Sequence, residues 1–221
     1  MDKSDPAYAG QAGYTRAFLG IYDLWVIGVV APRFLKTPIK ETVARHGELV
    51  GARHLDVGPG TGYFLDKAPL DPATAITLLD PNPAVLAKCA GRLARFNPET
   101  VEADVLKPLP IKGPFDSIGL SHVLHCIPGP MEAKGAAISN LANVVAPDGV
   151  LFGATMLGLD AEHTKPARFL IRVGNKQGGF DNLTDTAEGL RSILETSFED
   201  VQVRVVGSMA EFEARQPRRH E

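Results

Sequence analysis

Short runs of strand length recur along this chain and alternate with segments that carry helical signals. The strand-like runs are His54–Val57, Ala75–Asp80, Glu99–Val105, Phe115–Ser121 and Val150–Met156. Between and after them lie predicted helices. One opens at Tyr63-Phe64-Leu65, and another, Ala84–Phe96, follows Pro81-Asn82-Pro83. A third, Pro130–Val145, is closed by Ala146-Pro147-Asp148-Gly149. A fourth spans about Pro166–Gly174, and a fifth, Asp185–Thr196, has Thr184 placed to cap it. Strand–helix alternation of this kind specifies a mostly parallel sheet with helices packed on it. Two alternating runs, Asp200–Val206 and Met209–Ala214, close the chain with only Gly207-Ser208 between them. That spacing predicts a hairpin, so the last strand runs against the others.

The N-terminal part has a different texture. Residues 1–13 are small and polar, the composition of a frayed end. Tyr14–Val30 is rich in aromatic and aliphatic residues, and positions 14, 18, 21, 22, 25 and 29 fall on one helical stripe. Pro32 is expected to end that helix. Thr37-Pro38 then reads as N-cap and first residue of a second helix running to about His46-Gly47. Residues 1–37 are therefore taken as a tail with a helical cap, and 38–221 as the α/β domain.

Candidate chemistry concentrates where the runs end. The first strand stops at Gly58-Pro59-Gly60-Thr61-Gly62, three glycines spaced two apart, just before the next helix. Glycine is needed where backbone takes positive φ or must approach a ligand closely. A dinucleotide fingerprint wants its third glycine five residues after the first. Here that place is held by Tyr63. Asp56, inside the first strand, is costly to bury unless it answers loop N–H groups or a cation. Asp80 ends the second strand, where it can accept ribose hydroxyls or serve as a helix N-cap. Asp104 ends the third, with a plain loop-capping role as the alternative. Ser121 and His122 stand at the carboxyl end of the fourth, with His125 three residues on. Each histidine is a candidate base or a hydrogen-bonded structural residue. Acids at successive strand ends matter together, because parallel α/β sheets bind ligands at the carboxyl edge.

Taken together, Asp56 with the Gly58–Gly62 loop resembles the first motif of the class I S-adenosylmethionine-dependent methyltransferases. Ser121–Gly129 looks like the fourth motif of that family. Tyr22-Asp23-x-Trp25 and Leu124–Gly129 are further similar to small bacterial and fungal methyltransferases, several of them associated with secondary metabolism. The resemblance implies a Rossmann-like seven-stranded mixed sheet with helices on both faces, its last strand antiparallel, and an N-terminal helical cap. It implies S-adenosylmethionine as cofactor, S-adenosylhomocysteine as product, and a small-molecule acceptor attacked at oxygen, nitrogen or sulfur. Cofactor contacts are expected from Asp56, Gly58, Pro59, Gly60, Asp80, Pro81, Asn82, Ser121 and Tyr22. Asp104 would take the adenine amino group and the Val105 N–H a ring nitrogen. His122 and His125 are the candidate catalytic residues, and the Tyr14–Val30 cap and the 157–185 segment would close over the site. The alternatives are a relative that binds the cofactor without transferring methyl, and a nucleotide-binding oxidoreductase.

Composition removes other classes. A net charge of −3, with no Lys/Arg stripe before Arg215–Arg219, argues against a nucleic-acid partner. Ser121-His122-Val123-Leu124 stands where amino-group nucleic-acid methyltransferases carry Asp/Asn-Pro-Pro-Tyr. The longest apolar run, Leu24–Phe34, is broken by Pro32-Arg33 and too short to span a bilayer, and no leader is expected before it. Two cysteines, Cys89 and Cys126, make neither a disulfide framework nor a metal motif, which suits a cytoplasmic protein without a metal. A monomer or homodimer is expected.

Overall fold

The structure is a computed structural model and describes residues 23–218. Its centre is a seven-stranded sheet: β1 (Arg53–Val57), β2 (Ala75–Asp80), β3 (Glu99–Glu102), β4 (Phe115–Ser121), β5 (Val145–Met156), β6 (Phe198–Val206) and β7 (Met209–Pro217). The order across the sheet is β3-β2-β1-β4-β5-β7-β6. The first five strands are parallel, and β7 inserts antiparallel between β5 and β6. The hairpin expected at Gly207-Ser208 forms, and it is Gly207, at φ +59, that takes the left-handed turn. Strand order reverses between β1 and β4, so the crevice outside their carboxyl ends is the ligand-binding place of such a sheet.

Helices α1 (Ile39–Leu49), α2 (Tyr63–Lys67), α3 (Pro83–Arg92), α4 (Met131–Ala142), α5 (Lys165–Lys176) and α6 (Ala187–Glu195) cover both faces. Alternation along the strands sends Leu79 into one core with Ile138 and Leu194, and Ile76 and Leu78 into another with Leu65, Leu86 and Leu93. A third cluster joins Ala154 and Met156 of β5 to Ala167 and Ile171 of α5 and to Val30 and Leu35. At about 25 cal/mol per Å² of apolar area removed from water, these clusters are what hold the helices to the sheet.

Several boundaries differ from the sequence reading, each for a local reason. Asp23–Phe34 forms a π-helix that continues through Pro32. Its wide turn lets the Leu35 N–H reach the Val30 carbonyl at 3.1 Å, past the residue that lacks a donor. The wider turn also shifts the phase of the buried face. Ile27, Val30 and Ala31 are buried, whereas Trp25, on the expected apolar stripe, is 57% exposed. The rest of the expected cap, Tyr22 included, lies outside the described residues. Helix α1 begins at Ile39 with Pro38, not Thr37, at its cap, and runs past Gly47 to Leu49. Gly47 serves close packing there, since a Cβ would stand 2.7 Å from the Pro69 ring. Ala146–Gly149 does not close a helix but lies within β5, where the register slips from Phe115↔Val145 to Ser117↔Val150. Strand β3 stops at Glu102, before Asp104. Helix α6 is capped by Thr186, whose Oγ1 accepts the Gly189 N–H at 2.9 Å, and not by Thr184. No helix among the described residues is long and apolar enough to cross a membrane, and Cys89 and Cys126 are free.

Candidate active site

The loop after β1 takes its shape from glycine. Gly58, Gly60 and Gly62 have φ of +63°, +56° and +73°, values that cost other residues strain. At Gly58 a Cβ would collide with the Val123 side chain, so the loop backbone packs directly against a side chain of the segment after β4. At Gly60 a Cβ would meet nothing within 4 Å, because that backbone faces open space. The Gly58 N–H is tied to the Leu79 carbonyl at 2.8 Å, which fixes the loop against β2. The space it faces is a cavity that, counted with its open mouth, encloses about 1270 Å³.

Of the expected cofactor contacts, Asp56, Gly58, Pro59, Gly60, Asp80, Pro81, Asn82, Asp104, Val105 and Ser121 all line this one cavity. Their polar groups are not equally available. The Asp56 carboxylate has no hydrogen-bond partner among the described residues, and loop N–H groups do not answer it. Burial, and next the neighbouring Asp80, push its pKa up to about 7. Asp80 accepts the Asn82 N–H through Oδ1 at 2.7 Å, which leaves Oδ2 without a hydrogen-bond partner among the described residues. Burial raises its pKa to about 6 against the lowering effect of that bond. It is not the cap of α3: Asn82 is, its Oδ1 accepting the Ala84 N–H at 2.9 Å. Asp104 sits in the turn after β3, with Oδ1 accepting the Leu106 N–H at 3.0 Å and Lys107 3.6 Å from Oδ2.

The two histidines after β4 part company. His122, in the left-handed region at φ +63, lines the cavity. Desolvation, and next His46, hold its pKa down to about 4, so it is a neutral acceptor at physiological pH. His125 does not reach the cavity. A short turn over Leu124–Cys126 carries it inward, where it is 4% exposed. There its Nδ1 accepts the Met156 N–H at 3.2 Å and lies 3.3 Å from Thr155 Oγ1. Burial keeps it neutral too. The structure thus gives His125 a structural position, because β5 uses its ring to satisfy a buried backbone donor.

Three groups escaped the sequence reading. His46, expected merely to end a helix, is buried against the cavity wall with its Nδ1 2.7 Å from the Thr42 carbonyl. That contact makes Nδ1 the protonated nitrogen and leaves Nε2 as acceptor, and burial holds the pKa at about 4. The ring stacks on Phe64 (5.1 Å, 16°), which stacks in turn on His122 (6.0 Å, 6°). The i, i+4 pair Thr42/His46 was the available signal. Arg92 of α3 and Thr61 of the glycine loop both bond the Asp23 carboxylate, Thr61 at 2.5 Å. They join the π-helix to the loop. Cys126 also lines the cavity, its thiol pushed up to about 12 by burial.

This geometry agrees with what related sequences show. A family pattern described as a methyltransferase domain matches residues 55–151. The chain is 43% identical over 198 residues to the demethylluteothin O-methyltransferase of Streptomyces thioluteus, covering 88% of this chain and 85% of that one. It is 34% identical to the O-methyltransferase of a physcion biosynthesis cluster in Aspergillus chevalieri, over 99% of this chain and 100% of that one. An N-methyltransferase of Penicillium aethiopicum is 39% identical, over 76% of this chain and 71% of its own length. Among solved structures, the N-methyltransferase NodS of Bradyrhizobium japonicum, in complex with S-adenosylhomocysteine, superposes with a TM-score of 0.58 at 19% identity. That match covers 81% of this chain and 84% of NodS. A mitomycin 7-O-methyltransferase superposes with a TM-score of 0.59 at 21% identity over 80% of this chain, which spans 53% of its length. At these identities the two structures speak to the fold.

Proposed function

This chain belongs to the class I S-adenosylmethionine-dependent methyltransferases, and from that premise we propose that its cavity binds the cofactor and methylates an oxygen or nitrogen of a small molecule of secondary metabolism. The observation that carries the reading is the convergence of Asp56, Asp80 and Asp104 on one cavity beside open glycine backbone. The residues fit the cofactor. Asp56, without a partner among the described residues and partly buried, is suited to an ammonium group, which would hold it ionised. Asp80 has an oxygen for ribose hydroxyls, and the Asp104–Val105 turn follows the pattern that takes adenine in this family. Two O-methyltransferase relatives carry a small molecule in their names, demethylluteothin and physcion, and a third is named an N-methyltransferase; we extend that class, not their substrates, to this chain. A small acceptor, no nucleic acid and no membrane, and a reducing cytoplasmic compartment complete the proposal.

Held by Asp56, Asp80 and the Asp104–Val105 turn, S-adenosylmethionine would supply an electrophilic methyl carbon, with S-adenosylhomocysteine as the leaving group. What this chain contributes is alignment, worth effective molarities of roughly 10⁵–10⁸ M for a well-oriented pair. His122 is placed to accept a hydrogen bond from the attacking group. With its pKa near 4 it is too weak to ionise a phenol of pKa about 10 beforehand. That mismatch of about six units corresponds to about 8 kcal/mol. It therefore orients the hydroxyl and takes the proton as methylation acidifies it, then releases it to solvent. Calorimetry with S-adenosylmethionine and S-adenosylhomocysteine, followed by product mass with phenol and amine acceptors, tests the proposal. Heat of binding and a 14 Da gain are the expected results. Binding without any gain favours a non-transferring relative, and no binding ends the reading.

A further inference from the structure

A second concavity adjoins the cavity described above. Its lining includes Cys126, Pro128, Arg172, Lys176, Phe180 and Leu183, and the first two are also walls of the cofactor cavity. The two spaces therefore share one short stretch of chain as a common wall, a few residues after His122. The wall is of two kinds. Pro128, Phe180 and Leu183 offer apolar surface, and Leu183 is 52% exposed although large and aliphatic. Phe180 is held in place edge-on to the His125 ring at 5.2 Å. Facing them are two exposed cations of α5, neither in an ion pair with a carboxylate among the described residues. The acid on this wall, Asp181, already has Oδ2 engaged by the Gly129 N–H at 2.8 Å.

The charge is local and of one sign. Helix α5 carries Lys165, Arg168, Arg172 and Lys176 with no acid, all four exposed, in a protein whose net charge is −3. Arg172 and Lys176, one turn apart, are the two that line the groove. Cations with no ion pair among the described residues, beside an apolar wall, match a ligand that is itself divided: a flat or aliphatic body ending in an anion.

Resting on the methyltransferase reading, we propose that this groove is the acceptor subsite, that the acceptor is an amphipathic acid, and that Arg172 and Lys176 hold its carboxylate or equivalent anion. The body lies against Phe180, Leu183 and Pro128. The reacting oxygen or nitrogen, at the other end, reaches over Cys126 to His122. The anion held on α5 is remote from the methyl group and is not the atom methylated. Neutral analogues of the same shape lose the charge contact alone.

The test uses the full chain titrated calorimetrically with naphthoate and with naphthamide, equal in shape and different in charge, at low ionic strength, with and without S-adenosylhomocysteine. Naphthoate is expected to bind at least tenfold more tightly, with the margin shrinking as salt rises. Arg172→Gln with Lys176→Gln should abolish the margin, whereas Lys165→Gln with Arg168→Gln, which removes equal charge from the same helix off the groove, should keep it. Equal affinities, no binding of either probe, or a margin that survives the first double variant overturns the proposal. Heat from S-adenosylhomocysteine is read separately. If it is absent while naphthoate is still preferred, the methyltransferase reading fails, and the acceptor assignment falls with it. If it is present and the preference is absent, only the subsite is lost.

Discussion

Two regions at the carboxyl edge of the sheet hold buried acids and treat them oppositely. In the cavity beside β1, β2 and β4, Asp56 has no hydrogen-bond partner among the described residues and Asp80 keeps one oxygen open. In the 157–185 segment Asp185 and Asn182 are held by protein partners, although Asp185 Oδ1 and His163 Nε2 are buried without one among the described residues. Asp185 bonds Lys134 at 2.6 Å, both side chains at most 1% exposed, and Lys134 also donates to the Asp181 carbonyl at 2.7 Å. Asn182 donates to the Met156 carbonyl at 2.9 Å and pairs with Asn175. The Gly158 and Leu159 N–H groups both reach the Asp185 carbonyl. These bonds brace the segment expected to act as a lid against α4 and the end of β5. A buried polar group left without a protein partner costs stability, and is retained where a ligand supplies the missing bond.

The largest test of this contrast falls on the brace. Lys134→Met leaves Asp185 buried and uncompensated, and should cost about 3–5 kcal/mol in denaturant unfolding. Adding Asp185→Leu should return most of that loss. A small loss in the single variant would show that the pair is not what holds the segment.

Asp56→Ala probes the other side. It should weaken S-adenosylmethionine binding by about 1.5–3 kcal/mol, the worth of a charge-assisted hydrogen bond, without lowering the stability of the free protein. If unfolding shifts downward instead, Asp56 belongs to the fold and the contrast is lost. The two histidines sharpen the comparison further. His125→Ala should cost about 1–2 kcal/mol of stability and leave cofactor affinity intact. His122→Ala should slow turnover with stability unchanged, measured by single-turnover kinetics beside thermal unfolding.

The smallest effect is the pH dependence. Asp56 is raised to about 7 from an ordinary value of 3.8, so the folded free protein holds that proton more tightly than the unfolded chain does. Its contribution to stability is complete below about pH 4 and lost as pH rises through 7. A cationic ligand needs the ionised form, so cofactor affinity should climb about tenfold between pH 6 and 8 and then level off. A flat calorimetric profile over that interval would remove Asp56 from the ammonium site.

Much of this was legible in the amino acids alone, and for a physical reason. Strand-length runs, the three glycines and the placement of Asp56 and Asp80 are local signals, readable from side-chain period and backbone freedom. Asp104 was legible as a residue but not in its setting, since an edge strand with exposed side chains gives no sharp end. Other features needed distant partners. Pro147 and Gly149 read as a helix stop until pairing with β4 drew them into β5, and β7 lies between β5 and β6 only because its cross-strand bonds place it there. His122 and His125 have the same chemistry and nearly the same position in the chain. The Met156 N–H, contributed by a different strand, takes one ring into the core, while the other stays at the cavity beside His46. Periodicity and glycine determine which elements form; which nitrogen is left without a partner is decided only when the elements meet.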